Sequence, residues 1–75
     1  MKLADLASGA EATVFSLEAV SSATRKKLMV MGILPQTAIT KVRVAPMGDP
    51  IQVRVRGVDV AIRKSLAECI EVTPK

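Results

Sequence analysis

The residues of this chain that are able to do chemistry are few and dispersed. Histidine is absent, which removes the commonest general base and the commonest metal ligand. Cys69 is the sole cysteine. It has neither a second thiol nor an imidazole to share a metal, and no internal disulfide is available to it. The carboxylates Asp5, Glu11, Glu18, Asp49, Asp59, Glu68 and Glu71 are scattered along the sequence. They show no close pairing of the kind a glycosidase or a hard-metal site uses. No glycine-rich phosphate cradle occurs, and Gly48-Asp49-Pro50 is a turn signal. No catalytic, cofactor-binding or metal-ligating residue is assigned, and the expectation is a non-enzymatic domain that binds a partner.

The cations are the most informative polar feature. Lys41 and Arg43 lie on one predicted strand, and Arg54 and Arg56 lie on the next. The side-chain period of two places all four outward on one face. That face reads as an electrostatic docking surface, or as a solvated sheet face partly neutralised by Asp59. A second candidate surface lies on the predicted helix at Arg25, Leu28 and Met29. Leu28 also fits the core through its spacing to Met31 and Ile33. Single-strand nucleic-acid binders stack bases on aromatic side chains, and proline-rich peptide grooves need aromatics as well. Phe15 is the only aromatic residue here, so nucleic acid is not expected as a partner.

These residues must be positioned by short elements. Leu3 to Ser8-Gly9 reads as one turn. Ala10 to Glu18 alternates as a strand, with Ala12, Val14 and Ser16 one way and Thr13, Phe15 and Leu17 the other. Ser21-Ser22 caps a helix that runs to Met31. Gly32 suits its left-handed end, where Ile33 folds back onto Leu28. Pro35 marks a turn. Thr37 to Ala45 is a strand with Ala38, Thr40, Val42 and Val44 on one face and Ile39, Lys41 and Arg43 on the other. Pro46-Met47-Gly48-Asp49-Pro50 is a hairpin loop, because two prolines lack donors and Gly48 permits positive φ. Ile51 to Arg56 returns with Ile51, Val53 and Val55 inward. Gly57 allows a bend, and Val58, Val60 and Ile62 repeat the inward pattern. Lys64 to Glu68 forms a helical turn, and Cys69 to Thr73 closes as a strand. The predicted fold is mostly β, a small SH3-like or OB-like barrel with one α-helix between early strands and a short helical turn near the C-terminus.

Seventy-five residues allow one domain, residues 1–75, burying roughly 60–65% of its unfolded surface. Hydrophobic residues make up 49%, which argues against disorder. No apolar run approaches the ~18 residues that span a membrane, and the N-terminus does not read as a secretion signal. The expected compartment is the cytoplasm. The formal net charge of +4 suits an acidic protein surface, a nucleic acid or an anionic membrane.

Three segments carry a family resemblance. Arg25-Lys26-Lys27-Leu28-Met29-Val30-Met31-Gly32-Ile33-Leu34-Pro35 resembles the helix-and-turn of the ferrous iron transport protein A family (FeoA). Val42-Arg43-Val44-Ala45-Pro46-Met47-Gly48-Asp49-Pro50-Ile51 resembles that family's hairpin. Val60-Ala61-Ile62-Arg63-Lys64 resembles its strand end. The segments occur in order, and the length is that of a free-standing member. The resemblance implies an SH3-like barrel in the bacterial cytoplasm and a role as accessory or regulator of ferrous iron uptake. It implies one partner, the FeoB permease with its GTP-hydrolysing region, and membrane association only through that partner. Many members have Pro-Gly where this chain has Pro35-Gln36, which implies a different turn type or local strain. No intrinsic iron site is expected. Two other functions fit the same residues. One is the SH3-like domain of metal-dependent transcriptional repressors, which normally follows a helix-turn-helix module for which 75 residues leave no room. The other, resting on charge alone, is a basic nucleic-acid-binding module.

Overall fold

A computed structural model describes residues Met1–Lys75. A 3-10 turn over Leu3–Asp5 opens the chain. It is followed by β1 (Glu11–Ser16), α1 (Ser22–Val30), β2 (Ala38–Val44), β3 (Ile51–Val55), β4 (Val58–Ile62), α2 (Lys64–Ala67) and β5 (Glu71–Pro74). The strands form one antiparallel sheet in the order β4-β3-β2-β1-β5. The sheet is not closed by hydrogen bonding between β4 and β5; Met1–Leu3 pair along the free side of β5, with the Val72 N–H donating to the Met1 carbonyl and the Leu3 N–H to the Ile70 carbonyl. The mostly β architecture, with one helix after the first strand and a helical turn before the last, is the one expected from the sequence.

The helix ends are the ones the sequence encodes. Ser21 Oγ accepts the Thr24 N–H at 3.3 Å, satisfying one donor of the first turn. At the other end Gly32 has φ +92°. The Ile33 N–H donates to the Leu28 carbonyl at 2.9 Å and the Gly32 N–H to the Met29 carbonyl at 3.0 Å. These are the two bonds of a Schellman ending. Leu28 and Ile33 are both fully buried, so the fold-back contact is made inside the core.

One inner face of the sheet, the helix and the N-terminal turn enclose sixteen buried apolar residues, all aliphatic. Val14, Ile39, Ile51, Val53, Val55, Ile62 and Val72 come from the strands, Leu28 from α1, and Leu3, Ala67 and Ile70 from the terminal turns. Val58 departs from its predicted inward place. It has the inward phase opposite Val55, but at the tip of an edge strand it is 59% exposed. Met31, three residues beyond Leu28, is also exposed.

Two β-bulges reverse the alternation read from the sequence. Along β1 the pairing to β5 shifts between Val14 and Ser16. Phe15 is the extra residue, and beyond it Leu17 turns into the core. Along β2 the pairing to β3 shifts between Lys41 and Arg43. Ile39 and Lys41 therefore face inward, while Arg43 and Gln52 pair on the outside. A bulge places two residues against one, so every side chain beyond it changes face.

Candidate docking surfaces

Of the four cations expected on one face, the fold leaves two there. Lys41 is 5% exposed. Its Nζ donates to the Leu6 carbonyl at 2.6 Å and to the Ala4 carbonyl at 3.0 Å. It is a strut that fixes the N-terminal turn to the sheet, and it is not presented on the outer face. Burial pushes its ammonium below the ordinary lysine value, opposed by the nearby charge of Asp5. Arg56 has left the ladder as well. With φ +53° it forms a two-residue turn with Gly57, φ +79°, the geometry that joins two twisted strands tightly. Its Cδ lies 3.9 Å from the Cβ position at Gly32, against the end of α1.

The outer face of β2, β3 and β4 keeps Arg43 and Arg54, and both are engaged. Arg54 Nε donates to Asp59 Oδ1 at 2.7 Å and Nη2 to Oδ2 at 3.3 Å. Gln52 Nε2 donates to Asp59 Oδ2 at 2.9 Å, and Arg43 Nε donates to Gln52 Oε1 at 3.0 Å. The register explains the cluster, since Arg54 stands opposite Asp59 and Arg43 opposite Gln52. Hydrogen bonding from Arg54 holds the Asp59 carboxyl below its ordinary value. Beside the cluster Val44, Ala45, Pro46, Pro50 and Val60 line a shallow open groove. Its loop is anchored where Asp49 Oδ1 accepts the Lys64 N–H at 3.0 Å, and Gly48 adopts φ +86°.

A second groove runs between β1, α1 and the turn after the helix. It is lined by Phe15, Leu17, Glu18, Arg25, Met29 and Pro35. Phe15 is 67% exposed, on the outward face of β1 with Glu11 and Thr13. Arg25 is held across the floor, with Nη2 donating to the Val20 carbonyl at 3.1 Å. Its Nε is buried without a partner. Of the helical residues picked out from the sequence, Arg25 and Met29 line this groove. Leu28 is fully buried and cannot touch a partner. Phe15 is not among the docking residues picked out from the sequence, although the β1 alternation sets it on the face opposite Ala12 and Val14.

Pro35 completes the groove's edge, and Gln36 follows it in the same turn. The Thr37 N–H donates to the Leu34 carbonyl at 3.2 Å, and Gln36 adopts φ +68°. The turn keeps the geometry that glycine favours, and Gln36 tolerates it with strain. It is locked by the Gln36 N–H donating to the Val14 carbonyl at 2.6 Å and the Val14 N–H donating to the Thr37 carbonyl at 2.9 Å.

No three acidic, Cys or His side chains converge on a point that would hold a metal ion. Cys69 is half-buried, with Sγ 3.6 Å from the Ser65 carbonyl. No helix is long and apolar enough to cross a membrane.

A five-stranded antiparallel sheet with its helix after the first strand and its polar groups arranged as surfaces defines a small SH3-like domain. The FeoA domain model matches residues 1–74, and the chain belongs to the FeoA family. It is 38% identical to a FeoA protein from Chlorobium tepidum, with a TM-score of 0.93 over 99% of this chain and 70% of that one. A zinc-complexed FeoA from Stenotrophomonas maltophilia, described as a prokaryotic SH3 domain protein, superposes with a TM-score of 0.82. It is 27% identical over 96% of this chain and 88% of that one. A Porphyromonas gingivalis protein that fuses Fe(2+) transport protein A to the transporter FeoB is 33% identical over 72 residues. The match takes in 96% of this chain, which spans 8% of that relative's length.

Proposed function

We propose that this protein is a cytoplasmic accessory of bacterial ferrous iron uptake that works by binding the FeoB permease at its GTP-hydrolysing region. The single observation that carries the reading is the Porphyromonas gingivalis fusion. There a segment like this whole chain is covalently joined to the permease. Tethering of that kind raises the effective concentration of the two parts to about the millimolar range. Wherever such a tether is lacking, the two parts need an interface to replace it. The groove of Phe15, Arg25, Met29 and Pro35 is the surface best suited to form one. It combines exposed apolar area with a cation held at its floor, as protein interfaces commonly do. The outer sheet face is less suited, because Asp59 already neutralises Arg54.

The test is a two-dimensional NMR titration of the labelled domain with the soluble GTP-binding domain of its cognate permease, with and without nucleotide. Saturable shifts clustered on Phe15, Arg25, Met29 and Pro35, and abolished by Met29→Asp, support the reading. Shifts confined to Arg43, Arg54 and Asp59 move the interface to the outer sheet face. An absence of shifts in every nucleotide state overturns docking to that region.

A further inference from the structure

One end of the sheet carries an apolar tip that the groove does not use. The C-terminal turn of α1 presents Val30, 88% exposed, and Met31, 40% exposed. The β3–β4 turn lies beside it, with Val55 Cγ1 3.8 Å and Arg56 Cδ 3.9 Å from the Cβ position at Gly32. Val58, opposite Val55 in the ladder, adds its exposed side chain there. The cations are Lys26 and Lys27, one turn back along the helix, and Arg56 on the neighbouring turn. None of the three has a carboxylate partner. No Asp or Glu occurs anywhere in residues 21–48 or 50–58, the stretches that build this end.

We infer that this tip seats directly on an anionic lipid surface, with Val30, Met31 and Val58 entering the headgroup region and Lys26, Lys27 and Arg56 meeting lipid phosphates. Exposed aliphatic side chains beside unpaired cations complement a surface that is anionic outside and apolar beneath. Basic residues at such a surface are drawn to anionic lipid within a Debye length. A lipid surface is favoured over an acidic protein by shape. Val30, Met31 and Val58 line neither of the two grooves described above. They project from two adjacent turns, and a projecting tip is buried most readily by a medium that deforms around it. The inference does not depend on the permease reading, since the tip and the groove present different side chains.

The experiment is co-sedimentation of the whole chain with phosphatidylglycerol-containing vesicles and, separately, with phosphatidylcholine vesicles, at low and at physiological salt. Binding to the anionic vesicles only, weakened by salt, is expected. Val30→Asp and the double variant K26E/K27E each lower the partition coefficient, the double variant by about 25-fold or more at roughly fivefold per lysine. Arg54→Glu, on the outer face, leaves it unchanged, and near-native circular dichroism of every variant excludes unfolding as the cause. Equal binding to both vesicle types, or none to either, overturns the inference. Retention only on vesicles that also carry the permease, lost in Val30→Asp, overturns it too and assigns the tip to a protein. Neither outcome touches the titration with the isolated GTP-binding domain.

Discussion

The outer face of β2–β4 and the helical side of the molecule contain comparable numbers of cations, yet they differ in what those cations can still do. On the sheet, Arg54 meets Asp59 at 2.7 Å and Arg43 is tied into the same carboxylate through Gln52. On the helix, Lys26 and Lys27 have no carboxylate partner, and Arg25 spends its bonds on backbone carbonyls beside exposed Phe15 and Met29. The comparison shows that a count of outward cations does not locate a docking surface. What matters is the residual field once internal partners are subtracted, together with exposed apolar area beside it.

The largest expected effect tests the exclusion of Lys41 from the docking face. Lys41→Glu places a carboxylate against the Ala4 and Leu6 carbonyls that now accept from Nζ. It should destabilise the fold by on the order of 3 kcal/mol or more, read from urea denaturation. A cost within about 0.5 kcal/mol, typical of a surface site, would return Lys41 to the outside. Next comes the groove. Phe15→Asp should weaken binding to the permease domain about tenfold or more while leaving the denaturation midpoint nearly unchanged, because Phe15 is exposed.

A smaller effect probes the strained turn at the groove's edge. Gln36→Gly should raise stability by about 0.5–1 kcal/mol, since glycine accepts φ +68° without steric cost and only the unfolded chain's extra freedom opposes the gain. An unchanged or lower urea midpoint would mean that Gln36 contributes a compensating contact. Arg54→Ala on the sheet face should alter permease affinity by less than about twofold, as exposed paired charges usually do. A larger loss, measured by the same titration, would reverse the ranking of the two surfaces.

The smallest effect is a pH dependence from the carboxylates that are already paired. Glu71 accepts from the N-terminal ammonium and from Lys2, which lowers its pKa from 4.5 to about 2. A depressed carboxylate contributes stability that is fully present above its unfolded value and is lost as pH falls through its folded value. Glu71→Gln should therefore flatten the fall in stability between about pH 4.5 and 2. Asp59→Asn should act in the same direction, because Asp59 is also depressed. An unaltered acid limb in both variants would show that these surface pairs are screened away in solution.

The sequence by itself determined every feature encoded within a few residues. Ser21 had to cap a helix, Gly32 had to end it, and Pro46 to Pro50 had to be a loop, because each depends on local donors, ring constraints or an accessible positive φ. The family was legible for the same reason, since its motifs are those turns. The tertiary structure decided which face each strand residue takes. Strict alternation leaves Lys41 outside and Leu17 away from the core. A single extra residue at each bulge, chosen by pairing with a distant strand, reverses both. Nor does any local rule bring Lys41 against the Leu6 carbonyl, or Arg56 against Gly32. Those contacts join segments that only the folded sheet makes neighbours, and they decide which charges are spent within the molecule and which remain for a partner.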